Sequence, residues 1–455
     1  MWGITMNKKR IISVLLIFAF VFAQLVITVQ ADERVDVTRE EVIENPPINE
    51  NVIAQTDDSN TAETIQEEKT AEILQIGDYF TLGKYNDEPI VWSYMADDEH
   101  GKLIVSDKII CVKPFGDNKD NNNFWEESFI RKWLNSSVCD GEIDWSQYVP
   151  DWADYYMDYS EGGFLNKKNF TINEKGIIKP VSQWCMLPES HLELSENGVY
   201  TAYSAIKERI PGRPQDGGKD IMYTFSELPS AYYGAAHCVT DSMFLLDEMQ
   251  ICNVLKNFTD LRAKCGHGAY MVGIEFDDGY LGYSLRTPTG EVNTCIDEYN
   301  IYYTNVYIDG IRPAFYLDEE NAYIKSGSGT VDDPYIMDGK EKTVYINNVK
   351  AEIEEPPVTV EGIVMVPMQE TFEKLGANVI YDEETQAIIA ELNGKYIYTL
   401  TDNKGILING ESDDMGYPMT MILGKPYVPL SAIEKSVTPK VQWNNDLQQL
   451  NIWTE

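Results

Sequence analysis

Apolar and polar positions divide this chain into four textures. An apolar run from Ile11 to Val29 follows Lys8-Lys9-Arg10, and residues 32–73 are then rich in Glu, Asp, Asn, Thr and Gln, with no aromatic residue. From Ile76 onward short apolar alternations carry aromatics throughout, and the C-terminal segment repeats one pattern twice. Period-two alternation predicts strands over Gly77–Tyr85 and Pro89–Tyr94, joined by the turn Asn86-Asp87-Glu88, and over Lys102–Ser106 after the turn Asp97–Gly101. Phe129, Ile130, Trp133 and Leu134 share one face of a helix that Ser128 can cap. Residues 139–235 have few clean periods, whereas 266–317 return to short strands: Ala269–Ile274, Gly279–Arg286 and Tyr302–Ile308. Sheet, helix and irregular loops together predict an α+β class, with short strands and long loops in a central mixed domain at 74–320.

The repeat has an offset of 62 positions without a gap: Ile346-Asn347 returns as Ile408-Asn409, Pro356 as Pro418, and Val366-Pro367 as Val428-Pro429. A register kept through strand-like and helix-like segments points to duplication. The units span about 344–393 and 406–455 of a small β-rich α+β domain at 341–455. Each opens with a strand ending at Asn347-Asn348 or Asn409-Gly410, the latter a strong hairpin dipeptide. A second strand reaches the Val-Pro step and a helix follows. Phe372, Leu375 and Met368 point inward in the first copy, Ile433 and Val437 in the second, and a final strand pair closes each unit. Between the two domains, Ser326-Gly327-Ser328-Gly329 and Pro334 read as a flexible Gly/Ser/Pro linker over 321–340.

The basic start, apolar run and Val29-Gln30-Ala31 predict a secretory signal peptide over residues 1–31, with an uncleaved membrane anchor as the alternative. The 32–73 segment is too polar to offset its ordering entropy and reads as a disordered acidic spacer. The expected location is secreted or cell-envelope associated, with membrane contact only through an uncleaved signal peptide. Loss of residues 1–31 removes three positive charges and no negative ones, taking the net charge from −38 to −41. Such a chain is repelled by phosphate backbones, so no nucleic-acid partner is expected.

Candidate chemistry is sparse. Trp145, Tyr148, Trp152, Tyr155, Tyr156 and Tyr159 are interleaved with Asp, which suits either a sugar-stacking surface or irregular core under loops. Arg286 and Arg312 each lie in a strand-like segment near a Pro. A guanidinium there can hold a ligand or clamp loops from within. The seven cysteines are an odd number for an exported protein, and their pairing is not readable. His237-Cys238 and Cys265-Gly266-His267 do not have a zinc signature, and no metal or other cofactor is expected. Gly-x-Ser-x-Gly, His-Glu-x-x-His and phosphate-loop patterns are absent from the chain, so no catalytic residue is assigned.

Ser128 to Asn135, Leu285 to Pro288 and the closing Gly310-Ile311-Arg312-Pro313-Ala314 resemble DUF6273, an uncharacterised domain of exported bacterial proteins, many Gram-positive. The Gly-Ile-Arg-Pro-Ala segment is also similar in placement to the Gly-Phe-Arg segment ending formylglycine-generating-enzyme and C-type-lectin-like domains. That resemblance implies a compact twisted fold whose loops build a ligand surface. The Asn-x turns, the Val-Pro-Met and Val-Pro-Leu steps and Leu375-Gly376-Ala377 resemble the copper amine oxidase N-terminal-like, or stalk, domain. The second copy departs from it at Val437-Thr438-Pro439. The resemblance implies a spacer or envelope-attaching role, and 341–455 holds no His or Cys for copper.

These readings favour a non-enzymatic envelope protein that binds a cell-wall glycan or surface protein through residues 74–320. The ligand contacts would be Arg286, Arg312, Trp145, Trp152 and Tyr155. An enzyme acting on envelope polymers or surface proteins, and a purely structural or adhesive role, stay open beside it.

Overall fold

The hairpin predicted at the start of the central domain seeds its main sheet. The structure, a computed structural model, describes residues 69–116, 124–149, 157–186, 236–258, 263–266, 280–289, 292–297, 300–304, 308–382, 385–437 and 440–454. The expected signal peptide, the expected spacer before Lys69 and the predicted strand Ala269–Ile274 lie outside these residues, and Gln66 to Glu455 forms one compact unit. The fold is mostly β, with 46% strand and 15% helix in several sheets. No helix among the described residues is long and apolar enough to cross a membrane.

The strands Tyr79–Tyr85 and Glu88–Asp98 meet at Asn86 and Asp87, both left-handed at φ 50° and 64°. Asn-Asp at these positions suits a two-residue turn whose twist matches the flanking strands. Alternation buries Phe80, Leu82, Ile90 and Trp92. The sheet has eight strands, in the order Lys69–Thr70, Ala322–Ser326, Tyr335–Gly339, Tyr79–Tyr85, Glu88–Asp98, Gly101–Ser106, Ala314–Leu317 and Ile178–Lys179. The segment expected as a linker at 321–340 is thus instead largely sheet: its two strands pair with each other, and the second runs parallel to Tyr79–Tyr85. The polar spacer also ends earlier than expected, since Lys69 and Thr70 pair with Ile324 and Tyr323 and Ala71 is buried.

A second, five-stranded sheet orders Asn300–Thr304, Val292–Asp297, Tyr283–Thr289, Ile308–Ile311 and Cys111–Pro114. Beside it lies the helix Phe129–Leu134. Ser128 caps it, its hydroxyl accepting from the Arg131 amide at 3.1 Å, and Phe129, Ile130, Trp133 and Leu134 are buried as their spacing predicts.

In the repeat domain the two copies share one four-stranded sheet: Val358–Val360, Ile363–Pro367, Lys425–Pro429 and Thr420–Ile422. Val366 pairs with its own repeat equivalent Val428, flanked by Met365 with Pro429 and Pro367 with Tyr427. This register puts a local two-fold axis through the Val366–Val428 pair. Left-handed residues recur at the repeat offset as well: Asn347 and Asn409, Glu361 and Leu423, Gln386 and Gln448. The copies also exchange strands, since Thr343–Ile346 of the first runs parallel to Gln449–Trp453 of the second. The equivalent pairing on the other side is interrupted, because the connecting strand Lys395–Leu400 inserts between Ala387–Leu392 and Gly405–Ile408.

Period-two alternation makes the shared sheet two-faced. Val366 and Val428 join the repeat domain's own core, with Met368, Phe372 and Ile433 from the helices Met368–Lys374 and Leu430–Val437. Met365, Tyr427, Val358, Val360, Ile422 and Leu423 belong to the same hydrophobic cluster as Trp92, Trp133 and Phe315 of the central domain. At this junction Lys175 and Glu355, 2% and 8% exposed at their side chains, pair at 2.6 Å, and the buried Lys342 donates to the Gly176 carbonyl at 2.9 Å. The Leu423-Gly424 turn seats against the helix end: the Ser137 amide donates to Leu423 O at 3.2 Å, and a Cβ on Gly424 would lie 3.1 Å from Ser136 Cα.

Candidate functional site

Arg286 lies where the strand Tyr283–Thr289 shifts register between Ser284 and Pro288. Its backbone amide donates to Leu246 O rather than to a neighbouring strand. The guanidinium reaches Asp247 at 2.5 Å, Gln183 Oε1 at 2.7 Å and Cys185 Sγ at 2.9 Å, and lies over the Phe244 ring. Asp247 also caps the helix Glu248–Val254. Its other oxygen accepts from the Gln250 amide at 2.7 Å, while the Gln250 side chain accepts from the Asp247 amide. Burial opposes the charge on Arg286, but the acidic groups around it outweigh burial and raise its pKa.

From this clamp a polar chain runs outward. Gln250 donates to the Tyr316 hydroxyl at 3.0 Å, and Tyr316 donates to Asp98 at 2.5 Å beside the half-buried His100. Burial holds the Asp98 carboxyl above its usual range, the His100 imidazole below its own and the Tyr316 phenol well above 10.

Arg312 is 5% exposed and donates through Nε to Ser106 O at 2.9 Å and through Nη1 to the Tyr283 hydroxyl at 3.1 Å. Trp145 opens the short 3-10 helix Trp145–Tyr148. It is 1% exposed, its indole donates to Glu161 O at 2.8 Å, and Phe129 packs edge-on against it. Arg286, Arg312 and Trp145 are therefore internal, where a ligand in solution does not reach them. The structure does not bring the two arginines into one surface, and Trp152 and Tyr155 lie outside the described residues.

A second constellation, not singled out by its sequence, reaches the surface. Lys113, buried, pairs with Glu161 and sets its ammonium 4.5 Å from the Trp133 ring centre. The Tyr85 hydroxyl donates to the other Glu161 oxygen at 3.4 Å, and its ring packs on Trp133 and Phe164 at 5.9 and 6.0 Å. Burial, with Cys111 and Glu161 nearby, holds the Tyr85 phenol well above its usual range. Tyr85 also lines a half-open cleft of about 80 Å³ with Glu88, Pro89, Ile90, Lys108 and Ile110. Tyr85 and Glu88 stand at the readable hairpin turn. Lys113 and Glu161 are 48 positions apart, and nothing local signals their pairing.

Cys111, Cys139, Cys185 and Cys238 are free thiols. Burial pushes both Cys111 and Cys185 up to about 12. A raised thiol pKa leaves the nucleophilic thiolate scarce until pH approaches that value, so at pH 8 both are inert. Native protein treated with a disulfide reagent at pH 8 is expected to label at the exposed Cys238 and half-exposed Cys139 before Cys111 or Cys185. Peptide mass spectrometry checks this, and fast native labelling of Cys185 would contradict its burial.

Among the described residues no group of three or more His, Cys, Asp or Glu is placed to hold a metal ion. Residues 100–319 match the domain of unknown function DUF6273, and residues 345–452 match the copper amine oxidase N-terminal domain. The chain thus carries the two domains in the order that its motifs indicate. No curated protein matches the chain.

Proposed function

We propose that this chain is an exported, cell-envelope-associated, non-enzymatic protein whose central domain binds an extracellular ligand, a glycan or a surface protein. The observation that carries the reading is the docking of the repeat domain. One face of its shared sheet completes the central domain's core, and the buried Lys175–Glu355 pair locks the junction. The repeat domain is then a fixed base for a binding domain rather than a loose spacer. The match of residues 345–452, the charge and the N-terminal pattern support the envelope setting. With this reading go a signal peptide and an α+β, lectin-like arrangement in which loops build the ligand surface.

The test uses residues 32–455, because removing the base strips the central domain of part of its core. Incubated with purified peptidoglycan sacculi and sedimented, the protein is expected in the pellet and to be displaced by soluble cell-wall fragments. A protein that stays in the supernatant with sacculi, and that binds no component of a glycan array, would overturn the glycan form of the proposal.

A further inference from the structure

We infer that the cleft beside Tyr85 seats the acetamido group of an N-acetylated pyranose. This rests on the glycan form of the proposed function and narrows it to one substituent and one place. The cleft's size comes first. About 80 Å³ of space for water centres, at roughly 10–15 Å³ for one water, admits several waters and so a substituent the size of an acetamido group.

Its lining comes second. Ile90 and Ile110, 5% and 8% exposed, give it an apolar floor with Pro89, while the exposed Glu88 and Lys108 supply an acceptor and a donor at its edge. An acetamido group divides the same way: its methyl suits the isoleucines, its N–H a carboxylate and its carbonyl an ammonium. The apolar C–H face of the sugar ring would lie on Tyr85.

Tyr85 is prepared for that contact. Trp133 and Phe164 pack against its ring, edge-on and tilted, and its hydroxyl is tied to Glu161, itself paired with the buried Lys113. A wall already in place loses little freedom on binding. Charge favours the same ligand class, since a chain of net charge −38 repels anions but not a neutral sugar.

The probes are chitotetraose, a tetramer of N-acetylglucosamine, and cellotetraose, its glucose counterpart, titrated calorimetrically into residues 32–455. Chitotetraose is expected to bind, and cellotetraose about tenfold more weakly or less. The double variant Glu88→Gln, Lys108→Ala changes only exposed positions. It is expected to lose about tenfold in chitotetraose affinity with an unchanged unfolding midpoint. Tyr85→Phe, which retains the stacking ring, is expected to bind within about threefold of the native chain.

Equal affinity for both tetramers, or native affinity in the double variant, would overturn the cleft and leave the glycan reading standing. Retention on sacculi with no binding of either tetramer does the same. A protein that binds neither tetramers nor sacculi loses both.

Discussion

Arg286→Met is expected to lower the unfolding free energy by about 3–5 kcal/mol, the range for removing one partner of a buried ion pair. The Asp247 carboxylate, 5% exposed at its side chain, would be left facing Gln183 and Cys185 without its counter-charge. Three segments also lose their common tie: the strands Tyr283–Thr289 and Val181–Met186 and the helix capped by Asp247. Adding Asp247→Asn to Arg286→Met removes the stranded charge while keeping an acceptor for the helix end. That double variant should regain part of the loss. Urea denaturation of the three proteins measures both steps. A variant with the native midpoint that has lost ligand binding would instead make Arg286 a ligand contact.

The second large effect concerns the junction. A chain ending after Gly339 leaves the central domain without Met365, Tyr427, Val358, Val360, Ile422 and Leu423. At about 1.5–3 kcal/mol for each fully buried side chain, the loss is on the order of 10 kcal/mol, comparable with the whole stability of a domain. Residues 66–339 are therefore expected to show no cooperative urea transition, whereas residues 66–455 should unfold in one. The point variant Lys175→Met leaves Glu355 buried alone and should cost about 3–5 kcal/mol, while Lys175→Met with Glu355→Leu should return most of it. A truncated chain with a sharp transition at the full-length midpoint would mean that the domains fold separately.

The repeat was legible because its signals are local and double. Asn347 and Asn409, and the Glu361-Gly362 and Leu423-Gly424 turns, take left-handed conformations at matching positions. Hydrophobic alternation between them sets the strands. The helix at Phe129–Leu134 was legible for a similar reason, since its cap and apolar face lie within seven residues.

The linker shows why other parts were not. Glycines over 327–329 read as flexibility, yet a Cβ at Gly327 would lie 2.3 Å from Pro334 O, and one at Gly329 2.5 Å from the Tyr335 ring. They are required by close packing and by φ of 96° and 81° in a turn between paired strands. Close approach and freedom demand the same residue, so composition does not separate them. The arginines raise a related difficulty. Arg286 finds Asp247 and Gln183 at 39 and 103 positions' distance, so nothing near it in sequence tells a ligand contact from an internal clamp. Lys175 and Glu355 are 180 positions apart.

The exchanged strands of the repeat domain set an order of events. Thr343–Ile346 comes early in that domain, but its parallel partner Gln449–Trp453 is the closing strand of the second repeat. Closure of the domain therefore waits for a strand that comes much later in the chain than its partner. A long-range closure of this kind delays folding. On the proposed export route the delay is an advantage, because a chain that closes late stays threadable for longer.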